Sequence, residues 1–372
     1  MFDRLKFMTF LVIAALAGLI LAVVFGWQGL EHSPWYILVA SALLCFGLYM
    51  AVYGIDRQEA KRHWRIVLIA VTFGVLCKYL IIFGATYLVT QSWQYAVLSM
   101  ALAQIDPLSV AALSSDKRMT KRTRTILNMW ASFDDPMTAI ATPLLLGAAA
   151  TLAHQKIAEG SSWVDVLVSI TPFAGTLLMV GLLALYRRMK SKNVHAILQE
   201  KLDNHESGKN VISGLTAIIA IPMRLYSMAA LAGWFVRPSW LGAGRRAEFA
   251  LNIALYSATF LLGILLAGGV DIVGGITLGV ATYGSQIVVA WLVMWAALLV
   301  SKKENHSKSK LSRRDTWHLA LSQQNGITAI VLALNLEPVI NGSVAVVSLA
   351  IVTVNALNAV CNGLFDRYSK LA

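Results

Sequence analysis

From Phe7 onward the chain passes through a succession of apolar stretches, each about 20 residues long, the length a helix needs to cross a hydrocarbon core roughly 30 Å thick. Lys and Arg gather in the short connections between them, as in Arg57, Lys61, Arg62 and Arg65, or Lys117, Arg118, Lys121, Arg122 and Arg124. Only 13% of the residues are charged and 58% are hydrophobic, where a soluble domain carries about 25% charged residues. Mean hydropathy is +0.66. The net charge of +12 is spread over these loops rather than along one face, so it marks cytoplasmic loops and not a nucleic-acid surface. The expectation is an all-α polytopic membrane protein. Cys45, Cys77 and Cys361 lie in apolar segments without paired spacing and are read as small buried hydrophobes. Phe7–Trp27 follows Arg4 and Lys6 without a small-residue cleavage site, and is read as a retained helix.

Hydropathy predicts about 12 transmembrane helices in two halves. Residues 1–190 hold helices 1–6, residues 191–209 form a cytoplasmic linker, and residues 210–372 hold helices 7–12. In the first half, helix 2 runs from Pro34 to Gly54, with Trp35 and Tyr36 where an interfacial aromatic belt belongs. Helix 3 covers Ile66–Val89 with Lys78 near its centre, helix 4 covers Tyr95–Ser114, helix 5 Thr123–Leu152 and helix 6 Trp163–Tyr186. Val211–Val236 is interrupted by Pro222 and Arg224. An even number of crossings there, or a re-entrant hairpin hinged at Pro222, keeps every basic loop and both termini cytoplasmic. Helix 9 follows at Ala247–Ala267, helix 10 at Asp271–Val300, helix 11 at Thr316–Leu334 and helix 12 at Gly342–Phe365.

Against this apolar background stand Asp106, Asp134 and Asp135, all at predicted membrane depth. A carboxylate there costs at least a few kcal/mol on insertion scales, which makes function the default reading. Pro107 removes a backbone donor and disfavours helical geometry at Asp106, so helix 4 is expected to break there and free its carbonyls. Helix 11 carries the polar run Ser322, Gln323, Gln324, Asn325 and Gly326 at its own midpoint and runs in the opposite direction. Paired discontinuous helices in corresponding halves are the sequence pointer to a site in inverted-repeat transporters. Helices 4 and 11 are therefore expected to cross at the membrane midplane.

Gln104-Ile105-Asp106-Pro107-Leu108-Ser109-Val110 resembles the Thr-Asp-Pro-Val-Ala-Val signature of monovalent cation/proton antiporters, a superfamily of sodium/proton exchanger-like proteins. Phe133-Asp134-Asp135-Pro136-Met137-Thr138 resembles the Asn-Asp or Asp-Asp signature of that superfamily's next helix. Cys45-Phe46-Gly47-Leu48 is similar to its Phe-x-x-Gly-Leu helix, and Gln324-Asn325-Gly326-Ile327-Thr328-Ala329 to the segment that usually reads Gly-Leu-Arg-Gly-Ala. The departures are specific. Trp130 stands where the relatives have a glutamate, Gln286 and Asn325 stand where they have basic residues, and Ile105 replaces a threonine. The resemblance implies a homodimer with an interface domain and a mobile core that moves like an elevator. It also implies pH homeostasis, no cofactor, and a second-motif aspartate that binds the cation or protons.

A dehydrated Na⁺, Li⁺ or K⁺ wants oxygen ligands. Asp135 and Asp106 are the central candidates, joined by Asp134, by backbone carbonyls near Gln104 and Ile105, and by the hydroxyls of Ser132 and Thr138 one turn to either side of Asp135. Asn325 and Gln286 are candidate site-lining residues. Two carboxylates close together in low dielectric cannot both stay ionised cheaply, so cation and protons are expected to compete for one set of oxygens. Lys78 lies too deep to reach the interface and is a candidate ion-pair partner for Asp134 or Asp106. Asn128, Asn355 and Asn358 are read as interhelical hydrogen-bond glue, and His195, His205 and His306 as loop residues. The resulting expectation is a secondary transporter exchanging Na⁺ (or Li⁺ or K⁺) for H⁺ by alternating access, in a bilayer such as a bacterial inner membrane. The rival is a non-exchanging channel or ion sensor of the same fold. A membrane-embedded enzyme is disfavoured because no nucleophile and base accompany the aspartates.

Overall fold

The computed structural model describes residues 2–27, 29–112, 119–134, 138, 213–214, 217–218, 220–222, 226–241, 245–301, 312–338 and 340–368. Asp135, predicted helix 6, the linker at 191–209 and the three loop histidines lie outside the described residues. Among the described residues every regular element is a helix. In chain order these are α1 (Phe2–Val24), α2 (Pro34–Tyr53), α3 (Arg57–Ile69), α4 (Val75–Thr90), α5 (Trp93–Val97), α6 (Ser99–Leu102) and α7 (Pro107–Ala112). They continue with α8 (121–134), α9 (Tyr226–Phe235), α10 (Arg245–Ala267), α11 (Ile272–Ser301), α12 (Arg313–Ala320), α13 (Ile327–Leu336) and α14 (Ser343–Tyr368).

Six stretches are long and apolar enough to cross a membrane among the described residues: Pro34–Tyr53, His63–Thr90, Trp93–Ala112, Arg246–Ala267, Ile272–Ala296 and Ser343–Arg367. Their outward faces are apolar as well. Leu76, Leu80 and Leu88 on α4, and Val273, Ile276 and Val280 on α11, are exposed, as residues in contact with lipid should be. Helix α1 packs along α10, α2 along α7 and α9, and α11 against α4, α12 and α14.

Two local differences from the sequence expectation have clear causes. Predicted helix 3 begins nine residues earlier, at Arg57, because Asp56 caps it: one carboxylate oxygen accepts the N–H groups of Gln58 and Glu59 at 2.9 and 3.0 Å. An aspartate with a glutamate three residues later is a helix-start signal that hydropathy does not see. Helices α3 and α4 are continuous through a π turn at Ala70–Gly74. Tyr36 leaves the aromatic belt; it is buried and donates its hydroxyl to the Leu261 carbonyl at 3.0 Å, while Trp35 stays exposed. Near Pro222 the chain makes a turn at Ile221–Pro222 before α9. The ten residues of α9 reach about 15 Å, half a bilayer core.

At its basic end the fold is tied by ion pairs and carbonyl contacts. Lys121 meets Asp56 at 2.7 Å, and this contact holds the Asp56 carboxyl well below its ordinary range, at about 2. Arg57 donates to the Trp234 carbonyl at 2.6 Å, and Arg237 to the Ile55 carbonyl at 3.1 Å. Asp315 accepts the hydroxyls of Thr123, Ser312 and Thr120 at 2.7, 2.9 and 3.0 Å, fastening the start of α8 to the start of α12.

Candidate functional site

Two non-helical stretches meet in the core. One is 103–106, between α6 and α7, and the other is 321–326, between α12 and α13. The Asp106 N–H donates to the Gln324 carbonyl at 2.9 Å, which joins the two backbones directly. Asp106 is 1% exposed. Its Oδ2 accepts the N–H and hydroxyl of Ser109 at 2.8 and 2.6 Å, and its Oδ1 accepts the N–H and hydroxyl of Thr328, both at 3.4 Å. One carboxylate therefore serves the first turns of both α7 and α13, where N–H groups lack helical partners.

The freed carbonyls are also satisfied. Gln323 Nε2 donates to the Gln104 carbonyl at 2.8 Å, to Asn325 Oδ1 at 2.7 Å and to the Leu102 carbonyl at 3.3 Å. Asn325 Nδ2 donates to the same two carbonyls, each at 3.1 Å. On the other side, α14 presents Asn355, Asn358 and Asn362. Their amides reach the carbonyls of Asn325, Leu321 and Gln323 at 2.8 to 3.1 Å. An apolar helix in their place would leave these buried carbonyls bare, at a cost of about 1–3 kcal/mol each.

Asp134, on α8, is fully buried beside this crossing. Its Oδ2 accepts the Ile105 N–H at 3.3 Å, while its Oδ1 is buried without a hydrogen-bond partner among the described residues. Lys78 reaches in from α4, also fully buried, and donates from Nζ to Gln323 Oε1 at 2.8 Å. Both side chains border the 103–106 segment: the Gln323 amide that receives Lys78 donates to the Gln104 carbonyl, and Asp134 accepts from the Ile105 N–H, and no Lys78–Asp134 ion pair within 4.0 Å is formed.

The predicted residues thus divide. Asp106, Asp134, Gln104, Ile105, Asn325 and Lys78 come together at the crossing. Ser132 and Thr138 are buried, but their hydroxyls donate to the carbonyls of Asn128 and Asp134 along their own helix. Gln286, on α11, donates to the Leu319 carbonyl at 3.0 Å and braces the end of α12. Gln323, the hub of the network, carried no sequence signal beyond its place in a polar run.

A family model described as "Sodium/hydrogen exchanger, transmembrane" matches residues 1–199, just over half of the chain. The chain belongs to the sodium/hydrogen exchanger family. Two solved structures of the sodium proton antiporter MjNhaP1 from Methanocaldococcus jannaschii share its fold. One, determined at pH 8, gives a TM-score of 0.53 at 16% identity over 96% of this chain and 94% of that one. The other, an electron-microscopy structure, gives 0.63 at 14% identity over 95% and 89%. No curated protein sequence matches. The protein is an integral membrane transporter, not an enzyme. Within this exchanger the departures noted in the sequence have definite places. Trp130 is buried one turn before Asp134 in an apolar cluster with Ile105 and Ile126, and its indole N–H faces the Asp134 carboxylate without closing a hydrogen bond to it. Asn325 spends its amide on the carbonyls of the neighbouring segment.

Proposed function

We propose that this exchanger swaps Na⁺, or another small monovalent cation, for H⁺ by alternating access, with the Asp134 carboxylate as the contested ligand. The observation that carries the reading is the open Asp134 Oδ1, fully buried yet unpartnered among the described residues. A buried carboxylate oxygen needs a proton or a cation. Asp106 has four donors on its two oxygens and acts mainly as the cap that keeps the two broken segments crossed. Asp135 follows Asp134 in sequence and completes the pair whose charge protons and cation share.

In this reading the interrupted stretches α5–α7 and α12–α13 are the discontinuous helices 4 and 11 of two inverted repeats, crossing at the midplane. The bond from the Asp106 N–H to the Gln324 carbonyl supports it. The chain works as a homodimer with an elevator-like core in an inner membrane, its termini cytoplasmic. Protons and cation exclude one another at the carboxylate, and the cost of moving an empty buried charge enforces the exchange.

The test is proton flux in sealed proteoliposomes under an imposed Na⁺ gradient. Asp134→Asn should abolish it. Na⁺ entry without opposing proton movement would instead identify a channel, and unchanged exchange in the Asn variant would remove Asp134 from the mechanism.

A further inference from the structure

A fully buried lysine beside a fully buried aspartate has an obvious resting place, on the carboxylate. Lys78 does not take it. Its ammonium donates to Gln323 Oε1 at 2.8 Å, while Asp134 keeps Oδ1 open among the described residues. We infer that Gln323 is a positioning residue for cation exchange, holding the Lys78 ammonium off Asp134 so that the transported cation can use the oxygen Lys78 would otherwise occupy. The inference rests on the reading of Asp134 as the exchange ligand.

The geometry allows only one orientation of this carboxamide. Its NH₂ faces acceptors alone, the carbonyls of Gln104 and Leu102 and Asn325 Oδ1, and its oxygen faces a donor alone, the lysine. A flipped amide would set NH₂ against NH₃⁺ and C=O against C=O. The restraint is therefore directional, anchored to the backbone of the segment that carries Asp106. Glutamate there would lose every bond made by Nε2. A hydrocarbon would leave the ammonium with no acceptor, and an unpaired buried charge seeks the nearest countercharge. Lys78 would then be a tethered cation competing with Na⁺ inside the site, always present and never transported.

The experiment is a double-mutant cycle read by Na⁺ binding to the purified, detergent-solubilised chain by isothermal titration calorimetry at fixed pH, with Na⁺-driven proton flux in parallel. Gln323→Leu should weaken Na⁺ binding about tenfold or more in the wild-type background. In a Lys78→Gln background the same substitution should change affinity by less than about twofold, because no ammonium remains to be restrained. The apparent KM for Na⁺ should follow the same pattern, with kcat less affected. An equal loss in both backgrounds, or wild-type affinity in Gln323→Leu, would overturn the inference and reduce Gln323 to glue between segments. Should Gln323→Leu fail to fold, as judged by thermal unfolding, Gln323→Asn, whose shorter arm cannot bridge the same span, takes its place. Wild-type chain that neither binds Na⁺ nor moves protons would refute the Asp134 reading itself, whatever the cycle gives.

Discussion

Gly326→Ala tests whether the crossing must be built to this tolerance. Gly326 caps α13 directly against the Asp106 carboxylate, and the substitution adds a single methyl group there. That methyl would lie 2.9 Å from Asp106 Oδ2, 3.0 Å from Cγ and 3.2 Å from Oδ1, where ordinary contact begins at 3.4 Å. The carboxylate would have to retreat by about 0.5 Å, the difference between the closest and the ordinary contact. Its bonds to Ser109 at 2.6 and 2.8 Å can follow that shift; the two to Thr328, already 3.4 Å long, cannot. Overpacking of this size costs about 1–3 kcal/mol, which the fold should survive. A distortion of even about 1.4 kcal/mol at the transition between access states slows transport tenfold. The expected result is a folded protein with Na⁺-driven proton flux in proteoliposomes reduced at least about tenfold. Wild-type flux and wild-type apparent affinity in the alanine variant would refute the claim that the Asp106 carboxylate fills the space a side chain at 326 would take.

Gly47 is packed against the start of α7, two residues beyond Asp106, and a Cβ there would lie 2.7 Å from Leu108 Cβ and 3.0 Å from its Cα. Gly47→Val should push α7 away from α2, cost about 1–3 kcal/mol in thermal unfolding and reduce flux; a variant with unchanged melting and flux would contradict this packing. At the basic end of the fold, Asp56→Ala removes a helix cap and should cost about 1 kcal/mol in the same unfolding assay. Asp56 is held at about 2, against an ordinary 3.8, chiefly by its bond to Lys121. A depressed carboxyl contributes its stability above the unfolded value and loses it only as pH falls through the folded one. The pair should therefore be intact throughout the neutral range, and the pH profile of transport in Asp56→Ala should keep its wild-type shape.

The first break was legible because Asp106-Pro107 announces it in covalent chemistry: proline lacks the donor and disfavours helix at the residue before it. The second was legible only as a run of polar residues within an apolar stretch. Lys78 stood out by its depth in predicted helix 3. Its partner did not, since a glutamine's bonds depend on which helices cross, and sequence spacing within one helix says nothing about a residue 245 positions away. The start of α3 was missed because hydropathy reads only the lipid-facing part of a helix; the capping carboxylate of Asp56 lies beyond that part. The role of Asp106 is likewise set by the fold. In sequence it is one more intramembrane acid, whereas in the fold its oxygens are already occupied by donors from two helices.

The π turn at Ala70–Gly74 bears directly on where Lys78 points. A π turn holds one residue more than an α turn, so the helix beyond it is offset by one position, about 100° of rotation, from an uninterrupted α-helix. The buried positions His63, Val67, Val71, Val75 and Tyr79 recur every four residues, a spacing that a regular 3.6-residue helix would carry steadily around its axis. Deleting a single residue from the turn would restore the regular winding and swing the ammonium away from Gln323 towards the hydrocarbon. One surplus residue, four positions before the lysine at the nearest, aims the only charged side chain of α4 into the protein.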